Sequence, residues 1–289
     1  METLQENSFG AIRLNHQSTD CAIIRIDHKI VKASISLYGG QVLSWQPVGQ
    51  EEVFWLSKTS EFKAGKAIRG GVPICWPWFG SFRTAGNHGF ARQSNWHFST
   101  ACIAENNVTL ELALSDDSCH EHWPYAFSLK QVLTFGETFS QKLIIENTSA
   151  KGVEFSGALH SYFHVSNPMN VTVPHLNGYL FDDKILQGVG QKDNLVDCQG
   201  PIDRIYHTSN VQQVVDRGFQ RVIEVESDGC AQWVLWNPGK VVAEQMADIH
   251  TGGYLEYVCL EAANTNWVEI PAGQTKVMSQ TVRLKSLFA

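Results

Sequence analysis

Apolar and polar residues alternate at every second position through much of this chain. In residues 108–114 the even-numbered positions are Val or Leu, while Thr109 and Glu111 fall between them. A period of two puts alternate side chains on opposite faces of a β-strand. The same signal predicts strands at residues 22–26, 33–37, 96–103, 108–114, 127–135, 139–146, 221–225, 232–236, 254–260 and 275–284.

Turn-forming residues separate these strands, and the pattern contains no long amphipathic helix. Short helical candidates lie at residues 116–122 and 241–247. About a dozen strands with short connections and no fixed-period repeat favour an all-β fold, a large antiparallel sandwich in one domain that spans residues 1–289. The polar segment 178–213 is expected to cross the surface as an irregular excursion.

The segment 68–92 has a composition that no regular strand or helix favours. Pro73 and Pro77 remove backbone donors, and five glycines permit turns that other residues avoid. We therefore expect a pair of loops held in a defined shape. Arg69, His88 and Arg92 would place cationic and hydrogen-bonding groups there beside two tryptophans, and this mixture suits a phosphorylated or otherwise anionic sugar.

The charge and hydropathy of the chain exclude several classes of partner. Its 289 residues carry a net charge of −7 and no basic stripe, so we expect no nucleic-acid partner. The amino-terminal segment has no apolar signal region, and no apolar run approaches the ~18 residues of a membrane span. We expect the protein to be a cytoplasmic monomer that binds a small molecule and does not bind a membrane. The seven cysteines lack a CxxC pair, which predicts buried reduced thiols.

His160 and Glu261 are the candidates for chemistry, because each ends an apolar strand-like run and precedes polar residues. A strand end of this kind can open into a cleft. A carboxylate on the apolar face of a strand must be neutralised, paired or functional. A structural ion pair and a site role are both open for Glu261, and a hydrogen-bonded core histidine is the alternative for His160.

Metal and cofactor chemistry find little support in the sequence. His164 lies four residues after His160, which raises a metal hypothesis, but there is no HExxH motif and no cysteine at ligand spacing. The GxSxG, GxxxxGK(S/T) and GxGxxG motifs are absent as well. We therefore expect no metal and no cofactor, which leaves acid/base chemistry.

Several blocks together resemble the aldose 1-epimerase superfamily, and most closely its hexose-6-phosphate mutarotase branch. The blocks are YGGQVLSW at 38–45, IRGGVPICWPWFG at 68–80, NHGFAR at 87–92, ALHSYFHV at 158–165, DRIY at 203–206, WNP at 236–238 and CLEAAN at 259–264. The resemblance implies a galactose-mutarotase-like β-supersandwich. It also implies an isomerase that interconverts the α and β anomers of hexose 6-phosphates, with glucose 6-phosphate as the expected substrate.

The resemblance also implies roles for individual residues. His160 matches the general acid and Glu261 the general base of the family. The positions expected to bind substrate are Arg69, Asn87, His88, Arg92 and Asp203. Asn87 stands where many relatives look to have glutamine, so its contact would have a shorter reach. Two other functions remain open: a mutarotase for unphosphorylated aldoses such as galactose, and a sugar-phosphate-binding protein without turnover.

Overall fold

The computed structural model describes residues 1–16, 21–116 and 120–288, and these residues form three β-sheets whose neighbouring strands are antiparallel. The first sheet is a meander of five strands in chain order. Its strands are β1 (Glu2–Asn7), β2 (Gly10–His16), β3 (Ala22–His28), β4 (Val31–Ser36) and β5 (Gln41–Pro47).

The strands of the other two sheets interleave along the chain. They are β6 (Ile74–Cys75), β7 (His97–Ile103), β8 (Asn107–Asp116), β9 (Phe127–Gly136), β10 (Thr138–Asn147), β11 (Val153–Leu159), β12 (Tyr162–His164), β13 (Val171–Thr172), β14 (Phe181–Asp183), β15 (Gly188–Gln191), β16 (Ile202–Tyr206), β17 (Gln212–Asp216), β18 (Arg221–Asp228), β19 (Gln232–Asn237), β20 (Tyr257–Ile270) and β21 (Thr275–Ser286). The helical elements among the described residues are α1 (Gly239–Ala243) and 3₁₀ turns at Ala91–Gln93, Pro168–Asn170, Pro174–Leu176 and Gly253–Leu255.

Strands distant in sequence are neighbours in both large sheets. The second sheet has the order β13-β17-β18-β21-β10-β9-β8-β7. The third has the order β15-β14-β16-β19-β20-β11-β6, with β12 also paired to β20. Leu235 of β19 and Leu260 of β20 lie opposite each other and face the main hydrophobic core. One position along, Val234 lies opposite Glu261, so this pair faces the other side of the sheet.

The period-two pattern explains which side chains fill the core. In β8, Val108, Leu110 and Leu112 are buried, while Thr109 and Glu111 are partly exposed. Each fully buried aliphatic side chain stabilises the fold by roughly 1.5–3 kcal/mol. All ten predicted strands are present, most with ends that differ by one or two residues, and the prediction of an antiparallel all-β fold is confirmed.

Two predictions about particular segments are wrong. The strand predicted at 254–260 begins at Tyr257, after a 3₁₀ turn, and continues to Ile270. Its second half is partly exposed and polar, so the apolar alternation that marks a strand is missing there. The segment 178–213 is not a surface excursion, since β14, β15 and β16 join the third sheet. Its polar composition reflects the position of β15 at the exposed edge of that sheet.

The helical predictions also need correction. The helix expected at 241–247 is the single turn α1, which spans Gly239–Ala243. At 116–122, Asp116 ends β8, residues 117–119 lie outside the described residues, and His120 pairs with Trp123 across a turn. None of the helices in the described ranges has the length and hydropathy that a membrane crossing requires.

The cysteines are buried with one exception among those described. Cys102 is exposed, because it lies on the outward face of the edge strand β7. Cys119 lies outside the described residues. Five are buried: Cys21, Cys75, Cys198, Cys230 and Cys259. One domain over 1–289, a monomeric state and a cytoplasmic location stay predictions.

The loops of segment 68–92 depend on glycines at close backbone contacts. Gly89 has φ +66°, and a Cβ there would lie 1.9 Å from the carbonyl oxygen of Trp76. The backbone N–H groups of Phe90 and Ala91 donate to the same oxygen at 2.9 and 3.1 Å. Residues 89–91 therefore fold directly against the Trp76 backbone, which fixes the approach of the loop to β6.

We expect Gly89→Ala to lower the free energy of unfolding by more than about 1 kcal/mol, because it adds a steric clash to backbone strain. Gly86→Ala is the matched control: its φ is +80°, but nothing lies within 4 Å of its Cβ position. The measurement is urea-induced unfolding of both variants. An equal loss of stability in the two would contradict the role of the close contact.

Candidate active site

A cavity of about 390 Å³ opens on the face of the third sheet that points away from the core. Its polar wall contains all seven residues expected at the site: Arg69, Asn87, His88, Arg92, His160, Asp203 and Glu261. They come from the loops on either side of β6, from the turn after β11, and from β16 and β20. Sheet pairing thus brings segments from distant parts of the chain around one cavity.

Glu261 reaches the cavity because of the register of β20. It lies opposite Val234 of β19, and Val234 lies opposite Ile205 of β16, so the three side chains share one face. Cross-strand neighbours on this face form an apolar floor under the carboxyl group. Glu261 is only 1% exposed, and within residues 1–16, 21–116 and 120–288 its Oε2 atom has no hydrogen-bond partner.

His160 follows the last residue of β11, and its backbone N–H donates to the carbonyl oxygen of Pro73 at 3.0 Å. Its ring stacks on Tyr162, with centroids 4.7 Å apart and planes within 4°. This stacking fixes the ring so that Nε2 lies 3.4 Å from Oε1 of Glu261. The other ring nitrogen, Nδ1, is buried, and no residue that the structure describes forms a hydrogen bond with it.

Burial works against charge on both members of this pair. Desolvation lowers the pKa of His160 well below its ordinary value, and His88 and the two arginines lower it further. Desolvation also raises the pKa of Glu261 well above its ordinary value, an effect that Asp203 strengthens and Arg92 opposes. Both shifts favour a protonated, uncharged carboxyl group on Glu261 beside a neutral imidazole on His160.

Arg69 is already engaged by two side chains. Its Nε donates to Oδ2 of Asp248 at 2.9 Å, and one terminal nitrogen donates to the hydroxyl of Tyr162 at 2.8 Å. Burial disfavours its charge, but Tyr162 and Asp248 more than offset this and raise the pKa of Arg69. Arg69 therefore forms a structural ion pair with Asp248 and also lines the cavity.

Arg92 has more of its donors available. One terminal nitrogen donates to the carbonyl oxygen of Asn87 at 2.8 Å, while its buried Nε has no hydrogen-bond partner in the described part of the chain. Asn87 itself is exposed at the cavity rim. Arg92 therefore joins the rim to the cavity wall and keeps hydrogen-bonding capacity for a ligand.

His88 is held in the left-handed region, with φ 65°. Its Nδ1 accepts a hydrogen bond from the backbone N–H of Gly80 at 3.2 Å. Burial, with Arg92 and Arg69 adding to it, lowers the pKa of His88 to about 3. A neutral imidazole that accepts at Nδ1 carries its proton on Nε2, so His88 is a neutral donor at this site.

The sequence interpretation missed several residues of the site. Lys184 lines the cavity from the turn after β14, in a segment whose polar composition gave no signal for a site. Asp248 and Tyr162 orient Arg69. Trp236 and Phe79 supply the aromatic surface of the cavity.

The tryptophans of segment 68–92 do not line the cavity. Trp76 and Trp78 are at most 1% exposed and pack in the main core. His164 also points elsewhere, because its ring packs against Phe219. The group of side chains with metal-ligand chemistry that the described residues contain is His160, Cys259 and Glu261.

Comparison with known proteins identifies the family. The aldose 1-epimerase family profile matches residues 22–285. The chain belongs to the aldose 1-epimerase family. The family match, together with relatives named as glucose-6-phosphate 1-epimerases, identifies the protein as an isomerase.

Individual relatives agree with this assignment. A Salmonella typhimurium protein named "Putative glucose-6-phosphate 1-epimerase" is 38% identical over 252 residues, which cover 85% of this chain and 84% of the relative. The crystal structure of a Salmonella typhimurium "putative mutarotase" has a TM-score of 0.88 and 32% identity, over 99% of this chain and 96% of that one. A galactose mutarotase-like protein from Clostridium acetobutylicum shares the fold at 13% identity, with a TM-score of 0.74 over 97% of this chain and 100% of that one.

Glu261→Gln should stabilise the protein, and the gain should grow as pH rises. The raised pKa of Glu261 means that the folded state binds an extra proton, so this carboxyl costs stability once the pH exceeds its ordinary value of 4.5. We expect the variant to exceed the parent by about 1 kcal/mol or more at pH 8, the scale of an unsatisfied buried polar group.

Urea-induced unfolding of both proteins between pH 4.5 and pH 8 measures this difference. Glu269→Gln is the matched control, since Glu269 is exposed on the same strand. A gain that is constant over this pH range, or one that Glu269→Gln reproduces, would refute the burial argument.

Proposed function

We propose that this protein interconverts the α and β anomers of hexose 6-phosphates, with glucose 6-phosphate as the first candidate. The observation that carries the proposal is the buried contact of 3.4 Å between His160 and Glu261. They lie in a cavity that also presents the cations Arg69, Arg92 and Lys184. A catalytic acid and base next to positive charge suit a sugar that carries a phosphate. The names of relatives, which specify glucose 6-phosphate, support the same substrate.

Mutarotation requires two proton transfers on one sugar. A proton leaves the O1 hydroxyl while another reaches the ring oxygen O5, and the C1–O5 bond breaks to give the open-chain aldehyde. Rotation about the C1–C2 bond turns the other face of the aldehyde to O5, and the transfers reverse as the ring closes. In our proposal Glu261 takes the O1 proton and His160 protonates O5. Each positioned group contributes about 10²–10⁴-fold to the rate.

The charge of the substrate acts on both members of this pair. In the protein alone, Arg92 and Arg69 add to the burial that keeps His160 neutral, and Arg92 also lowers the pKa of Glu261. A bound phosphate offsets these positive charges, so it raises the tendency of both groups to hold a proton. Ring opening in our proposal requires the shared proton on His160 and a carboxylate at Glu261.

The three cations of the cavity differ in their freedom to bind phosphate. Arg69 is partly neutralised by Asp248, whereas Arg92 forms no ion pair with any of the described residues and lines the cavity. Lys184 is exposed at the cavity, next to Asp203. We assign most of the phosphate contact to Arg92, with Lys184 as a second positive charge. Arg69 stays fixed by its partners and orients the sugar.

His160→Ala and Glu261→Gln should each lower kcat by at least about 10²-fold, because either change removes one of the two proton carriers. Magnetisation transfer between the anomeric protons of glucose 6-phosphate measures the exchange directly. Glu269→Gln again serves as the control. Full exchange in either site variant would remove the catalytic assignment.

Arg92→Gln should raise KM for glucose 6-phosphate by roughly 10–100-fold, the value of a charge-assisted hydrogen bond of about 1.5–3 kcal/mol. Lys184→Gln should have a smaller effect in the same direction. Turnover of unphosphorylated glucose should change little in both variants. Lys32→Gln, on an exposed position of β4, controls for the loss of one positive charge. Equal effects on the two sugars would favour an aldose mutarotase that does not recognise phosphate.

A further inference from the structure

Cys259 lies directly beside the catalytic candidates but takes no part in the proton transfers. It precedes Glu261 by two positions on β20, so the two side chains share a face of the strand. One ring nitrogen of His160, the Cys259 sulfur and one Glu261 oxygen all lie within 4.8 Å of one another. All three side chains are buried.

Two polar atoms of this group have unused hydrogen-bonding capacity. Nδ1 of His160 and Oε2 of Glu261 are buried, and neither has a hydrogen-bond partner among the described residues. Most buried polar atoms in proteins are hydrogen-bonded, so two orphans in one cluster need a reason. Proton exchange with a sugar accounts for one proton-carrying atom on each of these two residues. It does not account for the neighbouring thiol.

The ligand set has the chemistry of a zinc site. A nitrogen, a sulfur and a carboxylate oxygen suit Zn²⁺, whereas Mg²⁺ and Ca²⁺ prefer oxygen alone. In tetrahedral zinc sites the ligand atoms lie roughly 3.3–3.6 Å apart, given the usual bond lengths. Separations of at most 4.8 Å therefore need side-chain movements of only about 1 Å. The cavity next to His160 and Glu261 leaves room for a water molecule as fourth ligand.

We propose that His160, Cys259 and Glu261 form an inhibitory site for Zn²⁺. Coordination displaces the thiol and carboxyl protons to solvent. The thiolate and carboxylate then offset the two charges of the ion, which the nearby arginines would otherwise repel. The ion occupies the groups that must exchange protons with the sugar, so it blocks ring opening without a change in fold. Zinc here is a reversible inhibitor and not a cofactor.

Binding is tested first, without any sugar. Equilibrium dialysis of the chelator-stripped full chain against ZnCl₂ should give one tight site. Cys259→Ala and Cys259→Ser should weaken it by at least about 10²-fold, since loss of an outer contact alone costs about 10–100-fold. Cys75→Ala is the matched control, because Cys75 is equally buried on the same sheet face but outside the ligand group.

Cobalt gives a direct view of the sulfur ligand. Co²⁺ bound at this site should produce the near-ultraviolet band of a thiolate-to-cobalt charge transfer in the parent and in Cys75→Ala, but not in Cys259→Ser. Absence of the band in the parent, or the same zinc affinity in parent and Cys259→Ala, would overturn the site. Because these measurements need no substrate, their outcome is independent of the proposed function.

The inhibitory effect rests on the proposed function and is measured second. Zinc should suppress the exchange of glucose 6-phosphate anomers in the parent and in Cys75→Ala, and EDTA should restore it. Each rate is compared with the zinc-free rate of the same protein. Cys259→Ala should keep at least half of its own rate at a zinc concentration that stops the parent. If zinc binds stoichiometrically and the exchange of anomers continues, the inhibitory role is overturned. If the parent shows no exchange before zinc is added, the proposed function alone is rejected.

Discussion

The burial of a carboxyl group beside an imidazole is the constraint on which the rest of this structure depends. Neither Glu261 nor His160 has enough contact with water to stabilise a charge, and Nε2 of His160 lies 3.4 Å from Oε1 of Glu261. Desolvation moves both pKa values toward the uncharged forms. The pair therefore shares one proton. One acid and one base that exchange protons with a single substrate need one proton between them.

The charged groups around the pair shift the position of that proton. Arg92 opposes the raised pKa of Glu261, whereas Asp203 strengthens it. The same arginine, together with Arg69, lowers the pKa of His160. Without a ligand these effects keep the site uncharged at its centre and positive at its wall. In the proposed reaction an anionic substrate offsets the positive wall, and because Arg92 lowers both pKa values, this favours protonation of both groups.

The scaffold provides this arrangement at a cost in local stability. An unsatisfied buried carboxyl group, a histidine with positive φ and glycines in close backbone contact are features that stability alone would not favour. They are held by sheets that pack a continuous apolar core behind the cavity. The aromatic stacking of His160 on Tyr162, and the hydrogen bonds of Arg69 to Tyr162 and Asp248, fix these cavity residues against the sheets.

The sequence by itself determined the ten strands with clear alternation, the faces of their side chains and the family; it gave no signal for β1, β2, β5, β6 and β11 to β17. A period of two is a local property, so β8 and the inward direction of Leu110 and Leu112 could be predicted from a few neighbouring residues. The motif blocks likewise identified the residues that line the cavity. Only the tertiary structure decided which of them meet. Leu159 pairs with Ala262 across β11 and β20, and this non-local register sets His160 against Glu261.

The side chains that contact the site residues could not be predicted from the sequence either. Nothing local to Arg69 indicates that Asp248 will neutralise it, and nothing local to Lys184 indicates a cavity. Trp76 and Trp78 are adjacent to cavity residues in sequence but are buried in the core. Alternation fixes which way a side chain points from its own strand. The order of strands in a sheet depends on the packing of the whole chain, and it decides what that side chain meets.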